Sequence, residues 1–207
     1  MKLNLPYRTG TVRVSSPYGR RTLSGVREMH KGVDLVGSDK TIVAPCDGKI
    51  GWAGEYNDKL RGGNTWEWGK YIRIETEDGY KIYLCHMAAV AVKAGQAVKA
   101  GDVLGTEGNT GSVYPVPKSS ADKTTGRHLH FEVRYGGKST DPTPMLGIAN
   151  RAGSYPVQAA EPGEDFAGMV CKKAGLEAQT RAYLDKYKYA GDLWRKLWEA
   201  MKQEEVL

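Results

Sequence analysis

Cysteine is scarce and odd in number: Cys46, Cys85 and Cys171. None stands in a CxxC spacing, which argues against a disulfide framework and against a cysteine-rich structural metal site. Phenylalanine occurs twice, against 12 tyrosines and 26 glycines. That balance suits short strands and tight turns better than long helices. No apolar run approaches the roughly 18 residues that cross a bilayer, so no membrane span is expected. A secretion signal is missing from the opening residues, where Lys2, Arg8, Arg13, Arg20 and Arg21 interrupt any apolar stretch. The expectation is a protein that stays in the cytosol or leaves by a route other than general secretion. Basic runs interleaved with aromatics are also lacking, so nucleic acid is not the expected partner.

What is present is an average globular composition, with 207 residues, 40% hydrophobic and 26% charged. This is one domain, or one domain with a small appendage, and long enough to bury a core without staples. The charge is unevenly placed. Residues 151–207 hold 9 basic and 9 acidic residues, so residues 1–150, with 21 and 15, carry the whole +6. A modestly basic domain favours an anionic partner such as an acidic lipid or an acidic polymer of a bacterial wall.

From about Val12 to Met145 the pattern is β. Lys70–Thr76 and Tyr80–His86 alternate with period 2 around Glu77-Asp78-Gly79, a hairpin signal. Thr41–Ala44 and Lys49–Trp52 flank a turn at Pro45–Gly48, and Leu129–Tyr135 is a further strand ending at Gly136-Gly137. Val92-Lys-Ala-Gly95 is echoed by Val98-Lys-Ala-Gly101, at a spacing that suits turns. Residues 53–69 and 112–127 read as long polar loops, functional or mobile. Residues 151–163, with Gly153, Pro156, Pro162 and Gly163, read as a linker. Beyond it, Thr180, Tyr183, Leu184 and Tyr187, then Trp194, Leu197, Trp198 and Met201, recur at helical spacing. The expected division is a β domain at 1–150, a linker at 151–163 and a helical region at 164–207. The aromatic stripe of that region either packs or meets a wall or a partner.

The four histidines carry the chemical signal. His30 and Asp34 stand four apart across Lys31-Gly32-Val33, where a glycine and a β-branched residue favour a turn over a helix. His128 and His130 fall on one face of a strand. His86 ends a strand, and alternation puts it on the face of Ile82 and Leu84, opposite Cys85. Imidazoles and a carboxylate are the usual ligands of a catalytic zinc, which keeps one coordination position open.

Taken together, HxxxD, the strand ending Tyr83-Leu-Cys-His86, Gly108-Asn-Thr-Gly111 and His128-Leu-His-Phe-Glu132 resemble the lysostaphin/LytM-type zinc metallopeptidases, which are peptidoglycan endopeptidases. The likeness covers about residues 15–145 and includes Ser16-Pro-Tyr-Gly-Arg20 and Ala44-Pro-Cys-Asp-Gly48. It implies an antiparallel, barrel- or sandwich-like β domain whose groove lies over Zn2+. It also implies that His30, Asp34 and His130 bind the metal, and that His86 and His128 flank the open position as the catalytic pair. Zinc brings the pKa of a bound water to about 7, and a positioned histidine moves its proton. Which of the two histidines is the base is left open. Tyr18 is either an oxyanion donor or an ordinary buried tyrosine. Trp66, Trp68 and Tyr114 are candidates to contact peptide or sugar along the groove.

Departures from the pattern are the long 112–127 loop, Arg127 where a proline commonly precedes HLHFE, and Glu75-Thr-Glu-Asp-Gly79 before the His86 strand. They bear on substrate fit and remove no ligand. The expected activity is zinc-dependent hydrolysis of an amide in peptidoglycan, by a phage or prophage lysin or a virion-borne enzyme. The alternative is a non-catalytic relative that binds the wall or regulates another hydrolase. A biotinyl-type carrier shares some phrases, but it has no use for the histidines.

Overall fold

The structure, a computed structural model, describes residues 1–23, 25–56, 58, 63, 65–157, 166–177, 179, 180, 197 and 201. The chain divides into two compact units, Met1–Ala160 and Glu161–Leu207. Among the described residues, no helix is long and apolar enough to cross a membrane.

The first unit is built of strands β1 (Thr11–Ser16), β2 (Gly19–Leu23), β3 (Val26–His30), β4 (Val33–Gly37), β5 (Thr41–Val43), β6 (Gly48–Glu55) and β7 (Lys70–Glu75). After these come β8 (Tyr80–Cys85), β9 (Ala89–Val90), β10 (Ala97–Val98), β11 (Val103–Thr106), β12 (Leu129–Tyr135), β13 (Lys138–Thr140) and β14 (Gly153–Pro156). The main sheet runs β10-β6-β7-β8-β12-β4-β1-β14, with β13 paired to β12. A smaller sheet runs β5-β11-β9, and β2 and β3 form a separate hairpin. Every pairing is antiparallel.

Alternation decides the two faces of the main sheet. Val33, Leu35, Ile72, Ile74, Ile82, Leu84, Leu129, Phe131 and Val133 are fully buried on one of them, in a core completed by Ile42 and Leu104 from the small sheet. The opposite face carries a second cluster of Tyr71, Tyr83 and Cys85, flanked by Trp52 and Trp68. The two halves of the internal echo fold into equivalent turns. Gln96 N–H donates to Lys93 O and Asp102 N–H to Lys99 O, and each preceding lysine N–H is capped by the side chain three residues on.

The segment before β1, which carries no strand pattern, is anchored all the same. Leu3, Leu5 and Tyr7 are buried, and the Tyr7 hydroxyl lies 2.6 Å from Oε2 of Glu107. Glu107 is fully enclosed, and also receives Gly37 N–H at 2.9 Å and Lys40 Nζ at 2.7 Å. Burial, reinforced by this carboxylate, pushes the Tyr7 phenol well above its ordinary range, so it stays a neutral donor.

Residues 153–156, expected in a linker, instead form β14. It pairs with β1 from Thr11↔Pro156 to Val14↔Gly153. Tyr155 and Val157 pack on the core, and Pro156 is tolerated because β14 is an edge strand. In the second unit, α1 (Phe166–Ala174) is helical, as are residues 180, 197 and 201. Tyr183, Leu184, Tyr187, Trp194 and Trp198 lie outside the described residues. Of the 53–69 loop, β6 takes the first part and a 3-10 turn at Thr65–Trp68 the last.

Removing the Tyr7 hydroxyl leaves an enclosed carboxylate short of one donor. Tyr7→Phe is expected to lower unfolding free energy by about 1.5–3 kcal/mol, read from the urea midpoint at unchanged m-value.

Candidate metal centre

The centre forms where three strands meet. On β12, His130 sits opposite Asp34 of β4 on one side and Cys85 of β8 on the other. Directly opposed residues in an antiparallel pair share a face, so His130 and Asp34 emerge together. His30 ends β3 and returns to the same point through the Lys31-Gly32 turn. That turn presses on β12: a Cβ at Gly32 would lie 2.5 Å from Phe131 O and 2.8 Å from His130 Cε1. Only glycine permits this approach.

Three ligand atoms converge. Oδ1 of Asp34 lies 3.1 Å from His30 Nε2 and 3.0 Å from His130 Nδ1, and the two ring nitrogens are 3.1 Å apart. All three residues are buried or nearly so. Two imidazole nitrogens and one carboxylate oxygen within 4.8 Å of one another can hold a metal ion. The donor set is the nitrogen and oxygen type of a catalytic site with three protein ligands.

The supporting contacts fix each ligand. His30 Nδ1 faces Pro17 O at 2.7 Å, which directs Nε2 to the centre. Arg21 Nη1 donates to Asp34 Oδ2 at 3.1 Å and to Ser16 Oγ at 2.7 Å, while its Nε donates to Glu28 at 2.6 Å. Asp34 therefore offers one oxygen inward and has the other held. Burial alone would raise the Asp34 carboxyl, but hydrogen bonds from His130 and His30 outweigh it and hold it well below the usual carboxylate range. For His130, burial favours the neutral ring, but contacts with Asp34 and Glu132 outweigh it and carry its pKa up to about 9.

His86 and His128 stand beside the three. Their ring centroids are 4.7 Å apart, and His128 Nε2 is 3.5 Å from Asp34 Oδ1. Nδ1 of His86 faces Thr110 O at 2.9 Å, and Nδ1 of His128 faces Gly126 O at 2.7 Å. Both rings thus point Nε2 away from a backbone anchor. Burial, with His128 and His130 nearby, pushes His86 down to about 3, so it is neutral at ordinary pH. His86 does not continue the face of Ile82 and Leu84 as alternation predicts. Its φ of 63° breaks the strand and turns the side chain into the groove with the other histidines. Such a φ is costly for a residue with a Cβ and marks a position held by its surroundings. Here His86 N–H donates to Trp68 O at 2.8 Å.

A groove of about 570 Å³ runs over the centre, lined on one side by Ser16, Arg21, Leu23 and Glu28 and on the other by Glu67, Trp68, Ser112, Val113, Tyr114 and Val116. Trp68 and Tyr114 are among its walls, as expected, while Trp66 and Tyr18 are not. The Tyr18 hydroxyl lies 3.4 Å from Ser139 O. The far wall is joined tightly. Ser112 N–H donates to Glu67 O, and Gly69 and Gly111, both at positive φ, touch so closely that a Cβ on either would strike the other's turn within 2.4 Å. Arg127 holds Glu107 O through two guanidinium nitrogens at 3.2 and 2.9 Å. It thereby anchors the backbone just before His128. Arg21 and Glu132 were not singled out by their sequence context. The signal for Arg21 was its alternation from Arg20 on a strand that follows the Ser-Pro-Tyr-Gly phrase.

The profile of peptidase family M23 matches residues 28–142. Murein hydrolase activator NlpD of Escherichia coli is 36% identical over 118 residues, covering 56% of this chain and 26% of that protein. DD-carboxypeptidase/endopeptidase Mpg of Neisseria meningitidis is 30% identical over 149 residues, covering 68% of this chain and 30% of that protein. The chain thus spans about a quarter of the length of the curated relatives it matches. The solved structure of LytU aligns with a TM-score of 0.51 at 29% identity, over 65% of this chain and 84% of that one.

His30→Ala, Asp34→Ala and His130→Ala are each expected to abolish stoichiometric metal binding. Arg21→Met is expected to weaken it about 10- to 100-fold, read by competition with a chromogenic chelator. With His130 protonated below pH about 9, a cation must displace its proton, so affinity for Zn2+ should rise from pH 6 to pH 8. The same titration repeated across that range checks the sign.

Proposed function

Because the chain belongs to peptidase family M23, we propose that it is a zinc-dependent endopeptidase that hydrolyses an amide bond in the stem peptides or cross-bridges of bacterial peptidoglycan. The observation that carries this reading is the convergence of His30, Asp34 and His130 on one point, with His86 and His128 standing over it in an open groove. The likeness to a DD-carboxypeptidase/endopeptidase supports it. So does the +6 charge, which favours approach to an anionic wall.

Zinc, when bound, supplies Lewis-acid polarisation of the scissile carbonyl and an acidified water. The chain's own residues do the rest. His30 Nε2, His130 Nδ1 and Asp34 Oδ1 would hold the ion, and Arg21 keeps the carboxylate from turning away. His128, with Nδ1 anchored on Gly126 O, turns Nε2 to the centre, 3.5 Å from Asp34 Oδ1, where it takes a proton and returns it to the leaving amine. His86, with Nδ1 anchored on Thr110 O, lies beside His128 at a ring-centroid distance of 4.7 Å. Its place is to orient the reacting groups next to His128. Trp68, Tyr114 and Val116 present rings and methyl groups to the peptide on one wall.

A second reading is supported by the likeness to a murein hydrolase activator: the chain binds the same wall and regulates another hydrolase. The two separate on one experiment. Sacculi of diaminopimelate type and of glycine-bridged type are digested with the zinc-loaded protein, with and without chelator, and the released fragments are identified by mass spectrometry. The expected result is chelator-sensitive release from one wall type, with new amino and carboxyl ends at a single bond. His128→Ala should keep its zinc and lose about 10²- to 10⁴-fold in turnover, and His86→Ala should keep its zinc and turn over more slowly. Stoichiometric zinc with no release from either wall would assign the regulatory role instead.

A further inference from the structure

His130, Glu132 and Arg134 occupy alternate positions of β12 and so share one face of the sheet. The ring of His130 turns Nδ1 to Asp34 and His30. Its other nitrogen, Nε2, lies 3.5 Å from Oε2 of Glu132. The remaining carboxylate oxygen, Oε1, accepts Arg134 Nε at 2.6 Å. The guanidinium of Arg134 is in turn seated 4.6 Å over the Tyr83 ring and 5.3 Å over the Trp68 ring. Glu132 is almost completely enclosed, at 1% exposure. Burial would raise its carboxyl, but His130 and Arg134 outweigh burial and keep it below the usual range, so it is charged.

A buried ion pair of this kind is no efficient way to stabilise a sheet. Apolar side chains of equal volume usually serve as well or better, because they carry no desolvation cost. What an apolar pair lacks is an acceptor for the outer nitrogen of His130. An imidazole that ligates through one nitrogen needs its proton on the other, and an acceptor there fixes both tautomer and ring angle. Pro17 O does this for His30. Among the described residues no backbone carbonyl meets the ring nitrogens of His130, and Glu132 lies in that place.

We propose that Glu132 is a positioning residue for the metal ligand His130, held in place by Arg134 on its Trp68–Tyr83 seat. It accepts the Nε2 proton of His130 so that Nδ1 keeps its lone pair on the centre. Trp68 then serves the site twice. Its ring seats Arg134, and its carbonyl oxygen holds His86. A side chain on the groove wall is thereby coupled to a ligand on the groove floor.

This inference rests on the metal-centre reading above, but it requires no hydrolysis. The test uses the full chain and zinc alone. Glu132→Gln keeps the volume, so a packing role survives it. In that variant one amide oxygen must serve two donors, Arg134 and His130. The expected result is zinc affinity about 10- to 100-fold weaker, measured at a temperature where both metal-free proteins are folded. Histidine-selective ¹H–¹⁵N spectra of the zinc-loaded protein should show the His130 Nε2 proton protected from exchange in the parent and exchanging in the variant. Equal affinity in the two proteins, or equal protection, overturns the proposal. So does a variant whose metal-free form is unfolded at that temperature, since the effect is then one of folding. A parent that binds no zinc removes the metal-centre reading, and this proposal with it.

Discussion

The register of β12 against β4 governs the site. Leu129↔Leu35, His130↔Asp34 and Phe131↔Val33 are paired in order. Leu35, Val33, Leu129 and Phe131 are all fully enclosed. Because side chains alternate, a slip of one residue would exchange the two faces. The core leucines and phenylalanine would go outward, and the imidazole and carboxylate would enter the hydrocarbon interior. Burial of four apolar side chains, each favourable by roughly 1.5–3 kcal/mol, therefore fixes the position of two polar ones. Precision at the metal centre is a by-product of hydrophobic sorting in the strands beneath it.

Among the described residues, the buried carboxylates Asp34, Glu107 and Glu132 have both oxygens met. Glu107 receives donors on both oxygens from Tyr7, Gly37 and Lys40. Asp34 and Glu132 each offer one oxygen to histidine nitrogen and the other to arginine. An unmet buried charge would cost several kcal/mol. The pattern also links distant parts of the chain. Glu107 ties the N-terminal segment to the strand end that Arg127 grips, immediately before His128.

Much of the first unit was legible because it obeys two simple rules. Period-2 alternation marked β7, β8 and β12, and the Glu77-Asp78-Gly79 turn joins the first two. The spacing of His30, Asp34, His128 and His130 pointed to residues that do stand in one groove. What escaped follows from contacts that have no local pattern. Leu3, Leu5 and Tyr7 are buried by partners as far away as Glu107. Gly153–Pro156 looks like a linker because an edge strand tolerates glycine and proline, and only its partner β1 makes it a strand. The direction of His86 was misread because a single left-handed residue cancels the alternation on which the reading relied. Arg21 and Glu132 act on ligands through oxygen and nitrogen atoms that strand periodicity alone does not place.

The contact between Gly69 and Gly111 sets the gauge of the groove. The 3-10 turn and the loop after Thr110 meet closely at these two glycines, where neither backbone has a side chain to hold them apart. Loops that grow outward from such a rivet can lengthen, shorten or change composition without altering the clearance at their base. The 112–127 segment can thus evolve new reach while the opening above the metal centre keeps its calibre. The joined base of this wall and its variable rim are thereby built from different residues.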